Sequence, residues 1–535
     1  MYSITDEYGG VGLLKFDFLG IKNLAILADA VTRVKETRGI VIDIENVPVD
    51  DLKTYQMLAR GETEGTFQLN GSGMTRWLKE LRPTTIHDIN AMVALYRPGP
   101  METIPQYIER KHNPKLIRFV DPRMKDYLDA SYGLLVYQDD VLLTAIKLAG
   151  YSWLEADALR KAMGKKIPAV MQAEKEKLLK GFVEHGKLPQ EKAETLWALI
   201  EPFAAYGFNK AHAASYGKVA YQTAYMKANY PVEYFAALLT ADSGDTEQIS
   251  IFVAEAKRMN IPVLPPDVNE SGSAFTVVHT ELAREGISRE GAPADRRGEG
   301  EEIFQQKNTP YPSSDVPNEL SGNAIRFGLS SIKNFGEGIS EAIITERKTH
   351  GPFASLSNFL SRVGSKNLNR KSLESLIKCG ALDSLSAPHA GRGALLENIE
   401  TLLAFHREAT ALPPQDSLFG AHSALPPLTL PAGKPVSLVD KLTWEKELLG
   451  IYISGHPLDA HEAITKKVKL SIAKIKEEPQ PGMLVIVPVL IILVRTILTK
   501  SGEKMAFITV EDATDSIEAV VFPKLLKEHP HLLTP

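Results

Sequence analysis

The chain has 535 residues, a formal net charge of -5, and 44% hydrophobic, 24% charged and 7% aromatic residues, an ordinary make-up for a soluble protein of about three to five domains. The negative balance excludes a protein that coats nucleic acid by bulk charge, since such binding rests on phosphate neutralisation by Lys and Arg, so any nucleic-acid role must reside in local basic clusters. The single cysteine, Cys379, excludes intramolecular disulfides and Cys-based zinc sites, fits a reducing cytoplasm, and reads as a half-buried helix residue in LESLIKCGAL.

No charged segment followed by an apolar stretch opens the chain, so no secretory signal is read. In VGLLKFDFLG, Leu13 to Phe18 read as a short strand that turns at Gly20 into an amphipathic helix. From about 50 to 280 the apolar spacing is helical, in segments such as DDVLLTAIKLAG, PAVMQAEKEKLLKGFVEHG and EKAETLWALIEPFAAYGF, and predicts one large all-helical domain. Between about 279 and 322 the composition turns polar and rich in Gly and Pro. Such a stretch buries too little apolar area to offset its ordering entropy, and reads as a mobile linker.

Helical signals resume from Ala324 to about Leu385 and again from 392 to 411, followed by the Pro-rich connector ALPPQDSLFGAHSALPPLTLPAGKP at 411 to 435. The most apolar run, MLVIVPVLIILVRTIL at 483 to 498, carries Pro488 and Arg495 and falls short of the roughly 20 residues a membrane-spanning helix needs. It reads as sheet strands, with no membrane role. Alternation in GEKMAFITVEDATDSIEAVVFP predicts antiparallel strands joined by KSGE and DATD turns. The chain stops at Pro535 within this sheet, which reads as a truncation.

Four clusters carry chemistry. In KFDFLG, Lys15 and Asp17 alternate onto one strand face and the flanking Phe16 and Phe18 onto the other. That placement suits a carboxylate on a divalent cation and an ammonium on a phosphate, and equally suits two solvent-facing charges on an edge strand. In GYSWLEADALRKAMGKK, Arg160, Lys161, Lys165 and Lys166 gather at a helix end closed by Gly164. This is a positive patch for a triphosphate or a template backbone, or a solvated helix terminus whose cations complement the macrodipole. Downstream, AYGFNKAHAASYG joins Tyr206, Asn209, Lys210, His212 and Tyr216 at a loop-to-helix start; interleaved rings and cations suit base stacking and phosphate contact, although a lone histidine such as His212 also serves as a structural hydrogen-bonding residue. In FGLSSIKNFGEGISEAIITERK, an apolar helix, the hairpin FGEG and a second helix read as a helix-hairpin-helix, with Lys333, Gly336 and Gly338 at the turn. A plain helical hairpin fits the same pattern. QDSLFG adds Leu418 and Phe419 in an exposed connector, available to a partner's pocket or to the chain's own surface.

Together GLLKFDFLG, TEGTFQL with GM at 73 to 74, ALYRPGPM, YQDDV, LRKAMGKK, YGFNKAHAASYG, YQTAYMKANYP, IKNFGEG, LIKCGALD, QDSLFG and WEKELLGIYISGHPL resemble the alpha subunits of bacterial DNA polymerase III, the C-family of DNA-directed DNA polymerases. The resemblance covers nearly the whole chain outside 279 to 322. It implies a multi-domain α+β architecture: a palm remnant over 1 to 49, large all-helical fingers over 50 to 275, an insert over 276 to 322, a helix-hairpin-helix and clamp-binding domain over 323 to 435, a connector over 436 to 478, and a truncated OB-like β-barrel over 479 to 535.

By the same resemblance Asp17 is a catalytic, metal-binding aspartate, while Lys15, Arg160, Lys161, Asn209, Lys210 and His212 hold the incoming nucleotide. Lys165, Lys166, Lys333, Gly336 and Gly338 face DNA, and Gln415, Asp416, Ser417, Leu418 and Phe419 dock the sliding clamp. Lys161 stands where the family more often has arginine, and Ala211 where serine is common. The reaction implied is nucleotidyl transfer from a dNTP to a primer 3′ hydroxyl with two Mg²⁺, in chromosomal replication in the bacterial cytoplasm. Implied partners are primer-template DNA, the beta sliding clamp, the proofreading exonuclease and the clamp loader. Asp139, Asp140 and Asp157 lie in helical segments and are not assigned to the metals. With one palm carboxylate the chain alone is expected not to extend a primer. The reading of a different class is a noncatalytic module that binds DNA and clamp.

Overall fold

The computed structural model describes residues 18–165, 168–201, 207–279, 323–364, 368–386, 391–411, 428–465, 467–468, 470–477, 480–499, 502–529 and 531. The chain divides into two compact units, Met1–Ala241 and Asp242–Pro535.

The described part of the first unit is mainly helical, with α1 (Lys22–Arg38), α2 (Leu52–Arg60), α3 (Ser72–Leu81), α4 (Ile86–Leu95), α5 (Ile104–His112), α6 (Gln138–Ala149), α7 (Trp153–Lys165), α8 (Pro168–Glu184), α9 (Gln190–Ile200), α10 (Lys210–Asn229) and α11 (Pro231–Ala241) as its longer helices. Each begins and packs for local reasons. Ile26, Leu27, Ala30 and Val34 form the buried stripe of α1, at the spacing that places side chains on one helix face. The Asp51 carboxylate accepts the N–H of Thr54 and caps α2.

Among the described residues one apolar core gathers Met57, Leu58, Met92, Leu95, Val136, Tyr137, Ala213, Ala220 and Tyr221, and another gathers Leu135, Val141, Ala145, Leu148, Leu159, Met163, Phe182 and Trp197. The segment leading into α6 therefore contributes to both. Contrary to the sequence expectation, Gly164 does not end α7, which continues to Lys165. Buried Ala162 and Met163 hold the last turn in place, which outweighs the roughly 1 kcal/mol that a helical glycine costs.

The second unit opens with α12 (Thr246–Arg258), then β1 (Val263–Leu264), β2 (Thr276–His279) and β3 (Asn323–Arg326). β3 is central in this small sheet, parallel to β1 and antiparallel to β2. This revises two expectations. Two strands occupy the end of the span read as helical, and a strand stands at Ala324 where a helix was expected. Ala324 and Ile325 are both buried, and a short, fully buried apolar run carries no period that separates strand from helix. Of the expected linker, residues 280 to 322 lie outside the described residues.

The apolar helix expected before FGEG is only a 3₁₀ turn, Leu329–Ser331. The N–H groups of Leu329 and Ser330 donate to the carbonyls of Gly272 and Ser273, and Gly328 lies so close to Ser273 and Ala274 that a Cβ would strike their backbone. Donors spent on a neighbouring loop are not available to a helix. After the turn come α13 (Glu337–His350), α14 (Leu356–Arg362), α15 (Arg370–Lys378), α16 (Arg392–Glu397), α17 (Ile399–Ala411) and α18 (Leu438–Leu449). Cys379, expected half-buried, is fully buried just after α15, and burial pushes its thiol up to about 12, so it is an inert core residue.

At the C-terminal end, β4 (Leu490–Leu498), β5 (Lys504–Glu511) and β6 (Ser516–Val521) pair antiparallel in that order, with the expected turn between β5 and β6, while Lys500 and Ser501 of the other expected turn lie outside the described residues. The strand in the apolar run starts at Leu490, not at its beginning. Pro488 just before it lacks the N–H that a ladder needs. The described residues are mostly helical with two small sheets, and their strands close no barrel. No helix among the described residues is long and apolar enough to cross a membrane.

Candidate functional site

Residues 137–140 and 207–210 of the first unit lie side by side. A parallel bridge pairs Tyr137 with Phe208, the Gln138 backbone N–H donates to the Phe208 carbonyl at 2.9 Å, and the Gln138 side-chain amide donates to the Gly207 carbonyl at 2.9 Å. The Asp139 carboxylate accepts the backbone N–H of Lys210 at 2.8 Å. Asn209 is the N-cap of α10, its side-chain oxygen accepting the His212 N–H at 2.9 Å. Asn209, Lys210 and His212 are thus brought together and are exposed.

A row of planar groups runs across the same surface. Phe208, His212 and Tyr216 recur every four residues, the spacing that aligns neighbours on a helix. Their ring centroids are 5.2 Å apart for Phe208 and His212, and 4.2 Å for His212 and Tyr216. Phe67 extends the row, 5.3 Å from Tyr216, and the Arg97 guanidinium closes it 4.2 Å from the Phe208 centroid. The Lys210 ammonium stands 5.5 Å from the Tyr137 ring. Planar faces beside exposed cations can stack a heterocycle and hold an anion.

Beneath this surface Asp140 is buried, and one of its oxygens accepts the N–H groups of Val136 and Tyr137 at 3.0 and 2.9 Å. The other has no hydrogen-bond partner. Burial pushes this carboxyl up to about 6 despite those two donors. A raised acid is favourable to folding while protonated, so its contribution is fully present below the ordinary carboxyl range and lost as pH rises through about 6. About two pKa units correspond to about 3 kcal/mol. Asp140→Asn is therefore expected to gain stability over the parent by about that amount at pH 8, with the gap closing towards pH 4. Urea unfolding of both proteins across this range checks it, and a gap that does not vary with pH would refute it.

Arg160 and Lys161 lie on α7 and share the Asp157 carboxylate, at 2.8 and 2.9 Å. Hydrogen bonds from Lys161 and then Arg160 hold Asp157 below its ordinary range. Lys165 ends α7. Lys15, Asp17, Lys166, Tyr206 and the segment Gln415, Asp416, Ser417, Leu418 and Phe419 lie outside the described residues. In the second unit Lys333, Gly336 and Gly338 are exposed, with Gly336 at the N-cap of α13, where no side chain caps the helix. The backbone N–H of Lys333 is already bonded to the Leu448 carbonyl.

Among the described residues no group of three or more His, Cys, Asp or Glu could hold a metal ion. Asp17, the aspartate that the resemblance assigns to the metal, lies outside the described residues. Sequence reasoning passed over Phe67, Arg97, Gln138, Phe208 and Asp139 as site residues. The spacing of Phe208, His212 and Tyr216 was a readable signal; the approach of Arg97, Phe67 and Asp139 is tertiary and left none.

Residues 23–186 match the finger domain of the bacterial DNA polymerase III alpha subunit, and residues 260–391 match a helix-hairpin-helix motif. The first match begins inside α1, before the boundary expected at 50, and ends before the ring row of α10. The chain is 39% identical over 539 residues to the DNA polymerase III subunit alpha of Thermus aquaticus, covering 98% of this chain and 40% of that protein. To the subunit of the same name from Aquifex aeolicus it is 36% identical over 525 residues, again with 98% and 40% covered. To that of Mycobacterium tuberculosis it is 37% identical over 531 residues, with 96% and 41% covered. The chain spans about 40% of the length of the curated relatives it matches.

Proposed function

We propose that this chain, which carries the finger domain of the bacterial DNA polymerase III alpha subunit and a helix-hairpin-helix motif, serves template-directed DNA synthesis in replication, with the start of α10 as its dNTP-binding face. The observation that carries this reading is the row formed by exposed Arg97 and His212 with half-buried Phe208 and Tyr216, beside the Lys210 ammonium. Lys210 neutralises phosphate charge as a compact ammonium on a flexible stem. His212 and Tyr216 offer faces to a base or sugar, and Arg97 offers both a charge and a plane. Asn209 caps the helix and so fixes where Lys210 starts. Arg160 and Lys161 form a second basic set on α7, with Lys165 and Lys166 following towards template DNA.

Asp17 is proposed as the metal-binding carboxylate, with Lys15 on the nucleotide phosphates. Mg²⁺ bound there would polarise the phosphoryl group under attack. Lys333, Gly336 and Gly338 are proposed to meet primer-template DNA, residues 415 to 419 the beta sliding clamp, and the chain to work with the exonuclease and clamp-loader subunits. The helix-hairpin-helix match favours a second reading, a noncatalytic module that holds DNA and clamp. Binding of a deoxynucleotide by the chain separates the two.

Calorimetric titration with dATP is expected to show binding that Lys210→Ala weakens by about 10-fold or more, the size of one charge-assisted contact. Unchanged affinity in that variant, or no binding by the parent chain, would sink the nucleotide-face reading.

A further inference from the structure

We infer that Gln138 and Asp139 are positioning residues of the nucleotide face, Asp139 serving as the backbone anchor of Lys210 and not as a metal ligand or a base. The inference rests on the reading of α10 given above. Lys210 is the first residue of α10, and the first N–H groups of any helix lack partners inside it. Asn209 satisfies one of them, that of His212. The N–H of Lys210 is satisfied from a distant part of the chain, by the Asp139 carboxylate.

Gln138 completes the clamp with two hydrogen bonds, backbone to Phe208 and side chain to Gly207. Three hydrogen bonds thus tie residues 207 to 210 to residues 138 and 139. The anchoring side is itself rigid. Asp140 accepts the N–H groups of Val136 and Tyr137, and Val141, Ala145 and Leu148 of α6 are fully buried. The ring row begins at Phe208 inside the clamped segment, so the same bonds set the position of the first planar group and of the first cation. A loop held to fixed geometry loses less freedom when a ligand binds.

The charge of Asp139 makes the inference testable by sign. A carboxylate this near Lys210 opposes an incoming polyphosphate, so if its charge were all it contributed, removing it would tighten binding. A positioning role requires the opposite. Asn retains an oxygen that accepts the Lys210 N–H and has no charge, which separates acceptor from charge.

The experiment is calorimetric titration of the whole chain with dATP for the parent, Asp139→Ala, Asp139→Asn and Lys210→Ala, with amide hydrogen exchange followed at Lys210. Asp139→Ala is expected to bind about 10-fold more weakly, with faster exchange at Lys210 and an unchanged melting temperature. Asp139→Asn should stay within about 2-fold of the parent in affinity and keep the slow exchange. Loss of affinity in Lys210→Ala combined with parental or tighter binding in Asp139→Ala overturns the inference and leaves the nucleotide face standing. Equal weakening in Asp139→Asn and Asp139→Ala also overturns it, because the acceptor is then not what matters. No dATP binding by the parent, or parental affinity in Lys210→Ala, removes the nucleotide face and the inference together.

Discussion

Asp88→Ala is expected to destabilise the first unit by about 5 kcal/mol, the upper range for breaking a buried ion pair from one side. The Asp88 carboxylate is fully buried and meets the Lys111 ammonium at 2.5 Å, whose own side chain is 7% exposed. It also accepts the hydroxyls of Tyr107 and Tyr132 at 3.2 and 3.1 Å and the N–H groups of Thr84 and Thr85 at 2.9 and 3.2 Å. Burial by itself would raise this carboxyl; the Lys111 charge and hydrogen bond, with the two Thr amides, outweigh it and hold the carboxyl below its ordinary value. Removing it leaves the Lys111 ammonium with the Thr84 hydroxyl, 2.9 Å away, and takes the acceptor from two hydroxyls and two amides. Urea unfolding followed by tryptophan emission measures the loss, and a change below about 1 kcal/mol would show that water reaches the cluster. Because this acid is depressed, its contribution is present above the ordinary carboxyl range and fades as pH falls through its folded value, opposite in sign to that of Asp140.

Glu233→Ala is expected to cost about 4 kcal/mol and to loosen α1. The Glu233 side chain is fully buried. It receives Arg38 through two nitrogens at 2.7 and 3.0 Å and the Thr37 hydroxyl at 2.9 Å. These bonds fasten the C-terminal turn of α1 to α11, and Arg38 also lies over the Tyr230 ring at 5.4 Å. The truncation leaves a guanidinium in a site built for a carboxylate. Amide exchange across Lys22–Arg38 should rise well above that of α10 in the variant. Equal protection of the two helices would mean that the apolar stripe of α1 suffices without the ion pair. Since α1 follows Asp17 in the chain, loosening it is expected to matter for any chemistry at that aspartate.

Helix positions in the first unit were largely legible because period and punctuation agree there. The segments 139 to 150, 168 to 186 and 191 to 208 were read from apolar spacing between Gly and Pro signals, and helices stand at Gln138–Ala149, Pro168–Glu184 and Gln190–Ile200. The turn between β5 and β6 was legible for the same reason, since polar turn residues interrupt a period of two. The elements misread were β3, whose two inner residues are both buried, and the 3₁₀ turn at Leu329–Ser331, whose donors are taken by residues 272 and 273. In both, the deciding partner is far away in sequence.

By itself the sequence determined where most helices lie, that the chain has more than one compact unit, and that Asn209, Lys210 and His212 stand together at a helix start, since capping and helical period act over a few residues. Tertiary packing alone brings the Asp139 carboxylate to Lys210 and Arg97 and Phe67 to the ring row. It also decided that Asp88 and Glu233 are buried acceptors in place of surface acids. The physical reason is range: local hydrogen bonds and helical spacing are written in neighbouring residues, whereas burial and the pairing of charges depend on which distant surfaces the packed cores bring into contact.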